Sequence, residues 1–328
     1  MRRREFIKVG AITSAAALLP PASAQQATMP VIGFLSGRAA QDSAYLVDAF
    51  REGLRDVGYS DGETVSIVYR WANGDYDRLP GLASELLRLN VVVLVAVGGD
   101  PSAFAAKQAT STVPIVFGIG NDPIKAGLVV SFNRPGGNAT GYTLLTGRLE
   151  AKRVGLLHEL IPVDSSLGAL IDSNFTVRVN NLHDVESATR SIRRELVVGK
   201  AGDDAEIESA FAMFARQRVG AVLVAGSPFF DTRRYRIIAL AAEQRIPAMY
   251  QFREYVVAGG LISYGPRIAD SYKQAGFYVG RILRGAKPSD LPVVQAERFE
   301  LVINMRTANA LGLTIPNTMQ LLADEVIE

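Results

Sequence analysis

The 328-residue sequence contains no cysteine, two histidines and one tryptophan. Without cysteine the chain forms no disulfide, thiolate metal site, cysteine nucleophile or lipid-modified amino-terminal cysteine. His158 and His183 fall inside predicted helices and away from strand ends, so they do not indicate a catalytic or metal site. No Gly-x-Ser-x-Gly nucleophile elbow and no phosphate-binding P-loop occur. These absences predict that the protein is not an enzyme and uses neither a metal nor a cofactor.

The positive charge of the whole chain belongs to its first residues. Basic residues precede an apolar run from Val9 to Leu19, and Ala22-Ser23-Ala24 has the small-x-small form of a cleavage site. This pattern predicts a twin-arginine signal peptide over residues 1–24, followed by a mature protein in the periplasm. Removing that segment leaves 31 basic and 32 acidic residues. No basic stripe interleaved with aromatics remains, so nucleic acid is not expected as a partner.

The segment from Asn90 to Lys107 shows the pattern on which the rest of the chain is built. Its unbroken apolar run predicts a strand buried on both faces, as in a parallel sheet. The run ends at Gly98-Gly99-Asp100-Pro101, where Asp100 can cap a helix and Pro101 fits its first turn. The glycines allow close approach of another molecule at the carboxyl end of the strand, where open α/β sheets bind ligands.

Strands and helices alternate along the whole chain, which predicts doubly wound parallel sheets with right-handed crossovers. From about Gly147 the pattern begins again, and Ala221–Ala225 followed by Gly226-Ser227-Pro228 repeats the design of the Asn90 segment. The fold class predicted is therefore α/β, with two doubly wound parallel-sheet lobes joined by a hinge. No long linker separates the lobes, so they should face each other across a cleft.

Small polar, amide and aromatic residues gather at the predicted strand ends and form the candidate ligand site. Exposed N–H groups at helix starts suit an anion, carboxylates can accept from an ammonium, and aromatic rings offer flat apolar surface. Gly118-Ile119-Gly120 lacks the third glycine of a dinucleotide-binding fingerprint, so it does not indicate a nucleotide cofactor. The candidate ligand-binding residues are Ser36, Gly98, Gly99, Asp100, Asn121, Asp122, Tyr142, Ser173, Asn174, Ser227, Phe229, Tyr250, Phe252 and Tyr264.

Several stretches of the mature chain resemble the tryptophan/tyrosine-binding-like substrate-binding proteins of ABC transporters. They span nearly the whole mature sequence, and together they are specific to that family although they say little about the ligand. The stretches are Met29–Ser36, Tyr69–Ala72, Tyr76–Pro80, Pro114–Phe117 with Asp122-Pro123, Asn133–Asn138, Tyr250–Tyr255, Gly259–Gly265 and Phe299–Asn304.

The resemblance implies a type I periplasmic-binding fold whose lobes are joined by three crossovers. It places residues 30–145 and about 266–290 in lobe 1, and residues 146–265 and about 291–328 in lobe 2. It also implies a pocket formed by the loops at Ser36, Gly99-Asp100, Asn121-Asp122 and the helix start after Ile171. Many relatives have threonine or serine where Asp100 stands, and an Asn-Pro-Asn-like loop where Ser173-Asn174-Phe175 stands.

Together these observations predict a monomeric periplasmic protein that binds a small solute, passes it to an inner-membrane ABC permease and closes around it by hinge motion. The resemblance suggests an aromatic amino acid as the ligand, and branched-chain amino acids and small aromatic acids remain open. Two other functions remain possible: a ligand-sensing subunit for a membrane receptor, and an exported enzyme. The sequence also leaves open whether Asp100 caps a helix or contacts the ligand.

Overall fold

The computed structural model describes residues 29–174 and 181–328, so the predicted signal peptide lies outside the described residues. The strands are β1 Val31–Ser36, β2 Ser66–Trp71, β3 Val93–Val97, β4 Ile115–Ile119, β5 Ala139–Thr143, β6 Leu167–Asp172, β7 Leu196–Ala201, β8 Ala221–Val224, β9 Ala248–Tyr250, β10 Ile262–Pro266, β11 Val294–Gln295, β12 Phe299–Asn304 and β13 Glu325–Ile327. The helices are α1 Ala44–Arg55, α2 Leu79–Arg88, α3 Asp100–Ala109, α4 Glu150–Leu160, α5 Asn181–Ser191, α6 Asp204–Arg216, α7 Pro228–Thr232, α8 Arg234–Glu243, α9 Arg253–Val257, α10 Ile268–Leu283, α11 Met305–Leu311 and α12 Asn317–Leu322.

The strands form two separate sheets, and the predicted fold class is confirmed. The first has the order β11-β5-β4-β3-β1-β2 and is parallel throughout. The second has the order β13-β12-β10-β9-β8-β6-β7 and is parallel except where β12 pairs with β10. Every residue of the central strand β3 is buried, as its apolar run predicts, whereas the half-exposed β2 lies at the sheet edge.

The chain passes between the sheets after β5, after β10 and after β11. The fully buried Arg153 joins the first passage to strand β10, from which the second passage leaves. Its Nε donates to the Tyr264 carbonyl oxygen at 2.8 Å, and its Nη1 pairs with Glu150 at 3.0 Å. The predicted division assigns residues from about 291 to lobe 2. In the structure, Val294 and Gln295 still pair with β5 in the first sheet.

Helix α10 follows the second passage and packs closely on α1 of the first lobe. A Cβ atom at Gly53 would lie 1.9 Å from the Lys273 carbonyl oxygen, and one at Gly276 would lie 2.0 Å from that of Phe50. Only glycine therefore fits at this crossing. The close crossing attaches α10 to the first lobe and places the amino-terminal turn of α10 beside the cleft.

Candidate functional site

The two lobes meet where the strand ends of β3 and β8 face each other. Gly99 has φ +107°, which is accessible to glycine, and a Cβ atom there would lie 2.4 Å from Pro228 Cγ. Pro228 is held by a well-capped helix start, since Ser227 Oγ accepts from Phe230 N at 3.2 Å. The glycine of one lobe and the proline of the other therefore allow the lobes to touch.

A cavity lies between the lobes next to this contact and has a volume of about 50 Å³. At ~10–15 Å³ per water, it holds roughly three to five water molecules. Seven of the fourteen candidate residues line it, and they come from both lobes. They are Gly98, Gly99, Asp100, Asn121, Tyr142, Ser227 and Phe252.

Asp100 is almost completely buried at the first position of α3, and its carboxylate bonds to the loop after β4. Oδ1 accepts from the Gly120 backbone N–H at 2.7 Å, and Oδ2 accepts from Asn121 Nδ2 at 2.8 Å. Burial raises the pKa of the Asp100 carboxyl, while these two hydrogen bonds oppose the rise. Asp100 thus fastens the loop after β4 to the start of α3, and it also faces the cavity.

Arg38 and Asp231 form an ion pair across the cleft. Arg38 follows β1, Asp231 lies on α7, and Arg38 Nη1 lies 2.9 Å from Asp231 Oδ2 with both side chains almost fully buried. Asp231 Oδ1 also accepts from the Tyr255 hydroxyl at 3.1 Å and from Gln251 Nε2 at 3.4 Å. Burial raises the pKa of the Asp231 carboxyl, and Arg38 counteracts this rise.

A second polar contact joins the lobes through Tyr76. Its hydroxyl donates to Asp172 Oδ2 at 2.8 Å, lies 3.3 Å from Ser227 Oγ, and accepts from Phe229 N at 3.0 Å. Ser227 Oγ also donates to Asp172 Oδ2 at 2.5 Å. Ser227 lines the cavity at Arg38, whereas Tyr76 lines a second cavity to which both lobes contribute residues.

The other seven candidate residues do not line the first cavity. Ser173, Asn174 and Phe229 line the second interlobe cavity, where Asn174 Nδ2 donates to the Gly202 carbonyl oxygen at 2.8 Å. Ser36 is buried directly behind Gly98, since a Cβ atom on that glycine would lie 2.4 Å from its Oγ. The remaining positions are Asp122, whose Oδ1 accepts from Ile124 N at 2.9 Å, Tyr250, stacked on Tyr255 in the core, and Tyr264, beside Phe299.

The cavity also contains residues that the sequence did not single out. Arg38 stands two positions after a candidate serine, and Asp231 lies on the short helix that follows the Gly226-Ser227 strand end, so both could have been found by extending the strand-end rule. Tyr272 lies one turn into α10 and reaches the cavity only because that helix returns to the first lobe. No local pattern indicates this position.

Two lobes with parallel sheets, meeting over a cavity at their strand ends, define the class of two-lobed solute-binding proteins. The family model for ABC transporter substrate binding proteins matches residues 29–327. The chain therefore belongs to that family, as its sequence resemblance implied, and it is a substrate-binding protein of an ABC transporter.

Comparison with individual proteins agrees with this assignment. The chain is 27% identical over 289 residues to a tyrosine-binding protein of Clostridioides difficile, covering 84% of this chain and 80% of the relative. A conserved domain protein from Vibrio cholerae has a TM-score of 0.83 at 26% identity, with 91% of this chain and 99% of that chain covered. An ABC domain from Streptococcus pneumoniae in complex with L-Trp has a TM-score of 0.81 at 24% identity over the same shares.

Proposed function

We propose that the protein binds an aromatic α-amino acid between its lobes and delivers it to an ABC permease. The observation that carries this proposal is the interlobe cavity, which combines the aromatic rings of Tyr142, Phe252 and Tyr272 with the carboxylate of Asp231. Aromatic rings offer apolar surface to a planar side chain, and a carboxylate binds an ammonium group. The tyrosine-binding relative and the L-Trp complex support the same ligand class.

Binding and closure form one process in this proposal. The ligand first contacts one lobe and then stabilises the arrangement in which Gly99 meets Pro228 and Tyr76 meets Asp172. A permease can distinguish this closed form because the relative position of the two lobes changes. In this proposal, residues 30–145 with the α10 region form one lobe, and most of the remaining chain forms the other. The role consists of binding and closure and involves no covalent chemistry.

We further propose that residues 1–24 direct the chain to the periplasm, where it acts as a monomer. The charged start, apolar run and Ala-x-Ala site support export. Fractionation of cells expressing the full chain should recover the mature protein in the periplasm. A variant with Arg3→Lys and Arg4→Lys should accumulate as precursor in the cytoplasm if the twin-arginine route is used, and equal export of both proteins would exclude that route.

A thermal-shift screen of the mature protein against the twenty amino acids tests the ligand class. A ligand present at about a hundred times its dissociation constant adds ~2.7 kcal/mol to the free energy of unfolding. For a chain of this size we expect Tm to rise by roughly 5 °C with tyrosine, tryptophan or phenylalanine. A rise with branched-chain or other amino acids alone would contradict the aromatic assignment.

A further inference from the structure

Arg38 is the cation of the cleft. Among the described residues that line the first cavity it is the only lysine, arginine or histidine, whereas Asp100 and Asp231 supply two carboxylates. Its side chain is 4% exposed, and its ion pair with Asp231 joins the two lobes. The Asp100 carboxylate is already held by the Gly120–Asn121 loop, so Arg38 is matched specifically to Asp231.

The surroundings of Asp231 suit any organic cation. Gln251 and Tyr255 donate to one carboxylate oxygen and orient it, which leaves the other oxygen toward the incoming cation. The Phe252 ring lies with its centroid 5.9 Å from the Arg38 guanidinium carbon. A carboxylate beside an aromatic face binds a ligand ammonium by the same forces that hold the guanidinium here.

The available space shows that the two cations compete. Sites for small organic ligands typically measure about 300–1,000 Å³, whereas the cavity beside the Arg38–Asp231 pair measures about 50 Å³. Arg38 Nη1 already lies 2.9 Å from Asp231 Oδ2, the oxygen that Gln251 and Tyr255 leave free, so a ligand ammonium group that binds this oxygen has to displace the guanidinium. Displacement into an apolar environment would be very costly, so Arg38 needs another acidic partner.

Glu254 and Tyr45 provide such a partner. Glu254 Oε2 and the Tyr45 hydroxyl are both buried, and neither has a hydrogen-bond partner in the described part of the chain; the same is true of Arg38 Nε. Burial lowers the pKa of the Arg38 guanidinium, but Asp231, Tyr45, Tyr272 and Glu254 raise it above its ordinary value. Glu254 Oε2 and the Tyr45 hydroxyl therefore offer two unmade hydrogen bonds to a displaced guanidinium, and Arg38 already interacts electrostatically with both groups.

We propose that Asp231 is the binding site for the ligand's ammonium group, that Arg38 occupies this site as an internal competitor, and that Arg38 moves to Glu254 and Tyr45 when ligand enters. This inference rests on the proposed function, since it concerns the same cleft. It narrows the ligand class to compounds that carry an ammonium group. It also makes Arg38 a determinant of affinity whose removal tightens binding.

The test compares wild type with Arg38→Met and uses three probes: L-tyrosine, tyramine and 3-(4-hydroxyphenyl)propionic acid. The wild-type protein should bind the two ammonium compounds and bind the propionic acid most weakly. If the Asp231 site is free of Arg38 in about a tenth of the molecules, R38M should lower Kd for tyrosine and tyramine about tenfold. Calorimetric titration measures these constants.

Arg234→Met is the matched control. Arg234 also forms an interlobe ion pair, with Asp42 at 3.1 Å, but it does not line the cavity. Its loss removes a closing contact without freeing Asp231, so R234M should leave Kd unchanged or raise it. If R38M raises Kd for tyrosine and leaves tyramine unaffected, Arg38 binds the ligand carboxylate and the inference is overturned.

Glu254→Gln provides a second variant in case R38M does not fold. It leaves the Arg38–Asp231 pair intact and weakens the second site of Arg38, so Kd for tyrosine should rise at least several-fold. An unchanged Kd would contradict the inference. Equal binding of all three probes by wild type would overturn the inference and leave a cleft-binding function standing, whereas no binding by wild type or R38M would overturn both.

Discussion

Substitution of Gly99 by alanine should prevent the lobes from closing. The added Cβ atom would lie 2.4 Å from Pro228 Cγ, whereas two carbon atoms pack at about 3.5–4.0 Å. The lobes would have to separate by about 1 Å or more at this point. Gly99 also has φ +107° and ψ 164°, a region that is essentially restricted to glycine and adds ~1–3 kcal/mol of strain for other residues.

The separation would stretch the polar contacts that cross the same interface. The Tyr76–Asp172 hydrogen bond of 2.8 Å and the Tyr76–Phe229 hydrogen bond of 3.0 Å would both exceed hydrogen-bond range after such a shift. A hydrogen bond to a charged group contributes ~1.5–3 kcal/mol. Loss of one such contact from the closed form should raise the ligand Kd roughly ten- to a hundredfold.

Gly259→Ala separates the backbone strain from the interlobe contact. Gly259 has φ +106°, close to that of Gly99, but the atom nearest to a Cβ atom added there is Ile238 Cγ2, at 3.9 Å within the same lobe. Both variants should lower Tm, whereas only G99A should raise Kd and increase the radius of gyration measured by X-ray scattering with ligand. Wild-type affinity in a folded G99A protein would refute the account of closure.

Three further predictions follow from individual contacts. Asp100→Asn should flatten part of the pH dependence of stability. Because burial raises the folded-state pKa of this carboxyl, the Asp100 contribution to the free energy of unfolding is greatest below the pKa of the unfolded chain and falls as pH rises through the folded-state pKa. Urea denaturation of variant and wild type between about pH 3 and pH 6 measures the difference. Tyr76→Phe should raise Kd by roughly tenfold with little change in Tm without ligand, since its hydroxyl bonds cross the lobes; an unchanged Kd in calorimetry would exclude that role. Gly53→Ala should destabilise the protein by at least ~2 kcal/mol in denaturant titrations. Gly155→Ala is the control, because Gly155 lies in a helix with open space around it, and it should be neutral or stabilise by ~0.5–1 kcal/mol. Equal effects of the two substitutions would contradict the close crossing of α1 and α10.

The fold could be predicted because its signals are local. The apolar runs at β3 and β8 and the glycine and proline after them specify buried strands and helix starts without knowledge of distant residues. The family resemblance then implied how the chain passes between lobes. The position of β11 could not be predicted, because Val294 and Gln295 are too few residues to show a strand pattern. They pair with β5 only once the first sheet has formed.

The site was predictable only as a set of strand ends. That rule finds Gly99 and Ser227, but it cannot show that Gly99 meets Pro228, because their contact joins residues more than a hundred positions apart. The use of the Asp100 carboxylate likewise depends on Gly120, which the fold brings to it from the next strand. Arginine is a residue type that usually lies at the surface, so the sequence does not indicate that Arg38 is buried against Asp231 of the other lobe.

The central claim is that this protein binds an aromatic amino acid between its two lobes. Calorimetric titration of L-tyrosine and L-tryptophan into the mature protein, beside G99A, tests it most directly. We expect saturable binding of one ligand per chain by wild type and a Kd that is at least tenfold higher in G99A. Absence of binding to wild type, or equal affinity in both proteins, would contradict the claim.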